Sequence, residues 1–131
     1  MPLPLLSGIE RYLDVLRVER GLSAHTLAAY ARDLQGFTDF LDEHDPQVAH
    51  DVMALSARHG LAYAVSLSGR KLSLRSQARM LSSLRGFGKF LRRENLVPSD
   101  PMSEVVLPKT GRSLPHTLGA TAIEELLLRP D

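Results

Sequence analysis

Hydrophobic residues recur every three or four positions in several stretches of the chain, which is the pattern of amphipathic helices. The clearest stretch follows Ser23, and its apolar positions are Leu27, Tyr30, Leu34, Phe37 and Leu41. This spacing keeps one helix face apolar over four turns. Serine is a favoured N-cap residue, so the sequence predicts that this helix begins just after Ser23.

Two further helices are predicted before and after this one. Ser7 and Glu10 have the spacing of a capping box, which predicts a first helix from about residue 8 to Arg20, with Gly21 as its C-terminal stop. Asp45 before Pro46 is typical of a helix start. It predicts a third helix that includes Val52, Leu55, Ala62 and Val65 and is interrupted at Gly60.

A fourth helix is predicted to begin after Ser73 and to end near Asn95. Its expected buried positions are Leu74, Leu81, Leu84, Phe87 and Leu91. No stretch shows sustained strand-like alternation. The sequence therefore predicts an all-α bundle of four main helices.

The character of the chain changes after Val97. Four prolines, at 98, 101, 108 and 115, indicate a linker with at most a short turn near Met102. A last amphipathic segment, residues 120–129, is short for an independent helix. Two interpretations stay open: the segment begins a second domain, or it is a tail helix that docks on the bundle.

Composition excludes several kinds of chemistry. The 131 residues are 44% hydrophobic and include no cysteine, which rules out disulfides, thiolate metal sites and cysteine nucleophiles. The five histidines lack the spacing of zinc ligands, so we expect no metal and no cofactor. No apolar run reaches the roughly 18 residues of a membrane span, so we expect a cytoplasmic protein without a membrane partner.

The charge is distributed unevenly, although the net charge is only +1. Residues 70–93 contain eight basic side chains and no acidic one. The remainder carries 8 basic and 15 acidic side chains, a net charge of −7. Such asymmetry favours an anionic partner for one region, while a solvated helix face is the alternative.

The basic residues of the predicted fourth helix follow one face. At 100° per residue, this face contains Arg75, Arg79, Ser82, Gly86, Lys89 and Arg93. Its middle is made of small residues, which would let a DNA groove approach the helix closely. The second helix has a similar outer face with His25, Ala28, Ala29, Arg32 and Gly36, which would also suit packing against another protein.

Two runs of the sequence resemble the start of the XerC/XerD tyrosine recombinases, with the XerD side of that family closer. They are LSAHTLAAYARDL at residues 22–34 and RMLSSLRGF at residues 79–87. Asp100-Pro101, Pro108-Lys109 and the segment 114–127 continue the resemblance in the same order. It covers nearly the whole chain.

The resemblance implies a SAM-like core-binding domain over residues 1–107, an interdomain linker over 108–119, and the start of a catalytic domain over 120–131. It also implies that the second and fourth helices face the major groove of duplex DNA at a recombination site. The stripe and the resemblance together give the expected DNA contacts: Ser23, His25, Thr26, Arg32, Arg75, Arg79, Ser82, Ser83, Arg85, Lys89 and Arg93. The resemblance also places Tyr30 there, although its ring lies on the apolar stripe.

Recombinase chemistry needs a tyrosine nucleophile with arginines, a lysine and histidines around one phosphate. This constellation is missing from the chain, so we expect no catalysis by residues 1–131 alone. In the full-length protein, the resemblance implies site-specific recombination for chromosome dimer resolution or DNA integration. It also implies self-association or pairing with a related recombinase in a synaptic complex.

Two other functions fit the same residues. A helical interaction module could use the basic face to bind an acidic protein. A free-standing DNA-binding regulator would share the DNA-binding face without any recombinase domain.

Overall fold

Four α-helices organise the chain in the computed structural model, which describes residues 2–109. They are α1 (Leu5–Glu19), α2 (Ala24–His44), α3 (Ala57–Ser68) and α4 (Leu74–Arg93). No strand occurs within this described range, so the all-α prediction is confirmed there. Most of the expected linker and the expected helix at residues 120–129 lie outside the described residues.

The predicted N-terminal starts of α2 and α4 are confirmed by side-chain caps. The Ser23 hydroxyl accepts a hydrogen bond from the Thr26 backbone N–H at 3.1 Å, and the Ser73 hydroxyl accepts one from the Ser76 N–H at 3.0 Å. Gly21 has a φ of +59°, a conformation that costs glycine little. The turn between α1 and α2 therefore requires the glycine that the sequence places there.

The predicted start of α1 is wrong by one turn. The helix begins at Leu5, and Pro4 occupies the N-cap position with no side-chain cap. The Pro4 carbonyl accepts the Gly8 N–H at 3.0 Å, and the Leu5 side chain is fully buried. Burial of Leu5 thus anchors a first turn that precedes the supposed capping box of Ser7 and Glu10.

The third helix also differs from the prediction. Pro46 opens only a short 3-10 helix, Pro46–His50, and a second one follows at Val52–Ala54. Asp51 between them is extended, and its carboxylate accepts the Met53 N–H at 3.0 Å. This local hydrogen bond competes with helix continuation, so α3 starts only at Ala57.

The core lies between the four helices and contains one apolar face of each. Its fully buried side chains include Leu5, Leu16, Leu34, Phe37, Leu41, Tyr63, Leu67, Leu84, Phe87 and Leu91. Leu74 was expected in this core but is 49% exposed, because it lies in the first turn of α4 beyond the neighbouring helices. No helix of residues 2–109 has both the length and the hydropathy needed to cross a membrane.

The segment after α4 belongs to the bundle and packs against two glycines. A Cβ on Gly60 would lie 2.7 Å from Val105 Cγ2 and 2.9 Å from Met102 Sδ. A Cβ on Gly88 would overlap the Asp100 carboxylate and lie 2.7 Å from Met102 Cβ. The sequence suggested that Gly60 interrupts α3, but the glycine lies within this helix. Its lack of a side chain makes room for the buried side chains of Met102 and Val105.

This packing predicts a specific cost for a methyl group at Gly88. We expect Gly88→Ala to lower the free energy of unfolding by about 1–3 kcal/mol, because the overlap outweighs alanine's helix propensity. Gly69→Ala is the matched control, since its Cβ would meet its nearest neighbour at 3.7 Å. Urea denaturation of both variants measures the difference. Equal stability of the two variants would contradict the close packing of residues 100–102 on α4.

Candidate nucleic-acid interface

The outer face of α4 concentrates positive charge. The helix contains six basic residues and no acidic one. Twenty residues at 1.5 Å each make it about 30 Å long, and its basic residues are distributed from Arg75 to Arg93 along this length. Arg75 and Lys89 are exposed at opposite ends of this face.

A groove separates α4 from the N-terminal half of α2. Its walls are Thr26, Ala29 and Tyr30 from α2 and Arg79 and Ser82 from α4, and we call it the α2–α4 groove. The groove encloses a cavity of about 240 Å³. A second cavity of about 340 Å³ continues from it towards the C-terminal end of α1, with Tyr30 and Ser82 as shared walls.

A buried carboxylate forms the floor of this groove. Asp33 of α2 is almost fully buried, and both of its oxygens are bonded to α4. Oδ1 lies 2.9 Å from Arg79 Nη2, and Oδ2 accepts the Ser83 hydroxyl at 2.8 Å. A buried charge requires such partners, so Asp33 joins the two helices at one fixed register.

Arg79 and Ser83 thus make intramolecular contacts that the sequence did not predict. Ser83 was expected to contact DNA, but it is buried, and its hydroxyl donates a hydrogen bond to Asp33. It is therefore not a surface residue of this face. Arg79 pairs with the same carboxylate, yet 56% of its side chain stays exposed. The ion pair holds the guanidinium at the groove floor while its outer edge faces solvent.

The other expected contacts lie on the surface of α2 and α4. Ser23, His25, Arg32, Arg75, Ser82 and Lys89 are exposed, and Thr26 and Arg85 are half-buried. Within residues 2–109, no carboxylate lies within 4 Å of the charged groups of Arg32, Arg75, Arg85 or Lys89. Their charges are therefore not neutralised by ion pairs in the described part of the domain.

Arg93 is the last basic residue on the outer face of α4, and nearby carboxylates partly neutralise its charge. Its Nε lies 3.2 Å from Glu94 Oε2, and its Nη2 lies 4.0 Å from Glu19 Oε1. Its guanidinium also lies 5.9 Å from the Phe90 ring centroid. Arg93 is consequently less available to an external anion than Lys89.

Two glycines on the outer faces of α4 and α2 lie against side chains of other helices, which the sequence alone did not reveal. A Cβ on Gly86 would overlap the Tyr12 hydroxyl of α1, and a Cβ on Gly36 would lie 2.8 Å from the Tyr63 hydroxyl of α3. Both glycines therefore admit a tyrosine of the same chain. Contact with a tyrosine of the same chain accounts for the absence of a side chain at Gly86 and Gly36 without a DNA partner.

These two tyrosines are buried, and their hydroxyls keep their protons at neutral pH. Burial raises the pKa of Tyr12 to about 12, and the neighbouring Tyr30 adds to the rise. Burial also raises the pKa of Tyr63. The Tyr63 hydroxyl has no hydrogen-bond partner among the described residues, whereas Tyr12 lines the second cavity.

Asp33, Tyr12 and Arg20 were missed as contributors to this face. The burial of Asp33 could have been predicted from the sequence, because it lies three residues after Tyr30 and four before Phe37, on the apolar face of α2. Tyr12 and Arg20 carried none, because only the packing of α1 brings them to α4. No group of three or more potential metal-ligating side chains occurs within residues 2–109.

Comparison with known proteins gives a consistent set of matches. The family model described as phage integrase, N-terminal SAM-like domain, matches residues 9–95. The tyrosine recombinase XerD of Pseudomonas putida is 39% identical over 123 residues, which are 94% of this chain and 40% of that protein. The tyrosine recombinase XerC of Anoxybacillus flavithermus is 33% identical over 120 residues, which are 92% of this chain and 39% of that protein.

A solved structure supports the fold. The N-terminal domain of a phage integrase/site-specific recombinase from Haloarcula marismortui superimposes with a TM-score of 0.72 at 18% sequence identity. The match covers 82% of this chain and 99% of that domain. The chain thus spans about 40% of the length of the curated relatives and nearly all of this isolated domain.

The burial of Ser83 predicts opposite behaviour for two adjacent serines. Ser83→Ala should lower the free energy of unfolding by about 1–2 kcal/mol, because one oxygen of the buried Asp33 loses its donor. Ser82→Ala should change stability by less than about 0.5 kcal/mol, because this side chain is exposed. Thermal and urea unfolding measure both. A larger loss for Ser82→Ala than for Ser83→Ala would mean that the two serines have exchanged faces.

Proposed function

Because the chain belongs to the family of phage integrase N-terminal SAM-like domains, we propose that it binds duplex DNA through α4 and the N-terminal half of α2. The carrying observation is the outer face of α4, where Arg75, Arg85 and Lys89 have no ion-pair partner within residues 2–109. Unneutralised cations on one face are the electrostatic signature of a phosphate-binding surface.

The dimensions of this face support the proposal. An α-helix with its side chains is about 10–12 Å across and fits the major groove of B-DNA, which is about 12 Å wide. Arg75 and Lys89 are fourteen residues apart, or about 21 Å along α4, so they would reach phosphates on either side of a groove. Ser82 and Arg79 between them would face base edges.

The N-terminus of α2 supplies a second element. Ser23 and Thr26 place hydroxyls there, and the Ser23 hydroxyl lies 3.1 Å from the Thr26 hydroxyl oxygen. Helix N-termini carry a partial positive charge that favours phosphate. His25 and Arg32 extend this surface along the exposed side of α2.

In a longer protein, we propose that this domain is the DNA-binding part of a site-specific tyrosine recombinase. The relatives named tyrosine recombinase XerD and XerC support this, since they match 94% and 92% of the chain. Such a protein would act in chromosome dimer resolution or DNA integration, paired with itself or with a related recombinase. Residues 1–131 alone would bind DNA without cutting or joining it, because the catalytic constellation is not among them.

Binding to duplex DNA predicts a steep dependence on salt. If the face neutralises about four phosphates, log K should fall against log salt with a slope near −3.6. Arg75→Ala and Lys89→Ala should each make this slope shallower by about 0.9, because each removes one phosphate contact. Fluorescence anisotropy with a duplex of about 30 base pairs, between about 50 and 200 mM salt, measures the slope.

Arg11→Ala is the matched control, because Arg11 is exposed on α1 and lines neither cavity. Its slope should equal that of the unmodified chain. A flat salt response, or an equal effect of Arg11→Ala and Arg75→Ala, would contradict DNA binding by α4. High affinity for an acidic polypeptide together with no affinity for the duplex would favour the protein-interaction module instead.

A further inference from the structure

The second cavity beside the α2–α4 groove brings together polar side chains from three helices. It lies between the C-terminal end of α1, the N-terminal half of α2 and the second half of α4. Its volume is about 340 Å³. We call it the tyrosine pocket, and its polar lining residues are Tyr12, Arg20, Tyr30, Ser82, Arg85 and Lys89.

The lining has the composition of an anion site. Arg20, Arg85 and Lys89 are cations, the other three residues carry hydroxyls, and no lining residue is acidic. An adjoining cavity shares Tyr12, Arg20, Gly86 and Lys89 with this pocket and is also lined by Glu19 and Arg93, whose charged groups lie 4.0 Å apart. Within residues 2–109, neither Glu19 nor any other carboxylate lies within 4 Å of the charged groups of Arg20, Arg85 or Lys89.

The walls of the pocket are held by packing. The Tyr12 ring packs edge-to-face on Tyr30 at a centroid distance of 6.5 Å and against Phe90 at 5.3 Å. Its hydroxyl lies over Gly86, where no side chain fits. Like any tyrosine hydroxyl, that of Tyr12 is protonated at neutral pH and can donate a hydrogen bond, and burial raises its pKa further, to about 12.

Arginine and lysine in one pocket suit a phosphate. The planar guanidinium can bind two phosphate oxygens, and the ammonium acts as a point charge. Ser82 is shared with the α2–α4 groove, so an anion in the pocket would be adjacent to anything that lies along α4.

We propose that the tyrosine pocket seats one backbone phosphate of bound duplex DNA, with Arg20 of α1 as a contact outside α2 and α4. This rests on the proposed DNA binding and adds a third helix to the interface. Arg20 is exposed at the C-cap of α1, and no carboxylate of residues 2–109 lies within 4 Å of its guanidinium.

The test compares Arg20 variants in salt titrations of the 131-residue chain with a random-sequence duplex of about 30 base pairs. Arg20→Ala should make the slope shallower by about 0.9 and weaken binding five- to tenfold near 0.1 M salt. Arg20→Lys should restore the slope, because it keeps the charge. Arg11→Ala should leave both the slope and the affinity unchanged.

The outcomes separate this proposal from DNA binding itself. If Arg75→Ala flattens the slope while Arg20→Ala stays within twofold of the unmodified chain, the pocket holds no DNA phosphate and binding by α4 stands. If the unmodified chain shows no salt-dependent binding, both proposals fail.

Inorganic phosphate in place of chloride, at equal ionic strength, distinguishes free phosphate from the DNA backbone. We expect less than a twofold change in affinity for the duplex, because one free phosphate lacks the other contacts of the duplex. A tenfold loss of duplex binding that disappears in Arg20→Ala would assign the pocket to free phosphate and overturn the proposal.

Discussion

The structure depends on one buried carboxylate. Asp33 lies between α2 and α4, and an ionised group in this position is stable only with close partners. Arg79 and Ser83 provide them from α4 at 2.9 and 2.8 Å. Because both partners belong to one helix, they set its register and rotation against α2. That rotation turns Leu84 and Phe87 inward and leaves the basic face of α4 outside.

Helix packing also shapes the surface. Two tyrosines from α1 and α3 reach across to glycines on α4 and α2, which brings the helices close together. Tyr12 thereby becomes a wall of the pocket beside Ser82 and Lys89, and its ring belongs to the core. The proposed interface is therefore not an independent layer of charges. Its cations lie beside side chains, such as Asp33 and Tyr12, that also pack the helices against one another.

The sequence predicts the features that depend on neighbouring residues. The caps at Ser23 and Ser73 and the stop at Gly21 are local, and the apolar spacing of α2 needs only the helical period. Features that depend on other helices were mispredicted. Ser83 lies next to the basic face on a helical wheel, but in the structure it is buried and its hydroxyl is bonded to Asp33 of α2. Gly86 lacks a side chain at a position occupied by Tyr12, which lies seventy-four residues earlier in the sequence. No pattern within α4 contains either fact.

Amide hydrogen exchange with and without duplex DNA would show directly whether α4 and α2 form the DNA-binding face, because bound DNA slows the opening of the elements that it contacts. We predict slower exchange in residues 74–93 and in the first turns of α2, with α3 unchanged. Slower exchange confined to α3 or to residues 97–107, with α4 unaffected, would contradict a DNA-binding face built on the Asp33 contact.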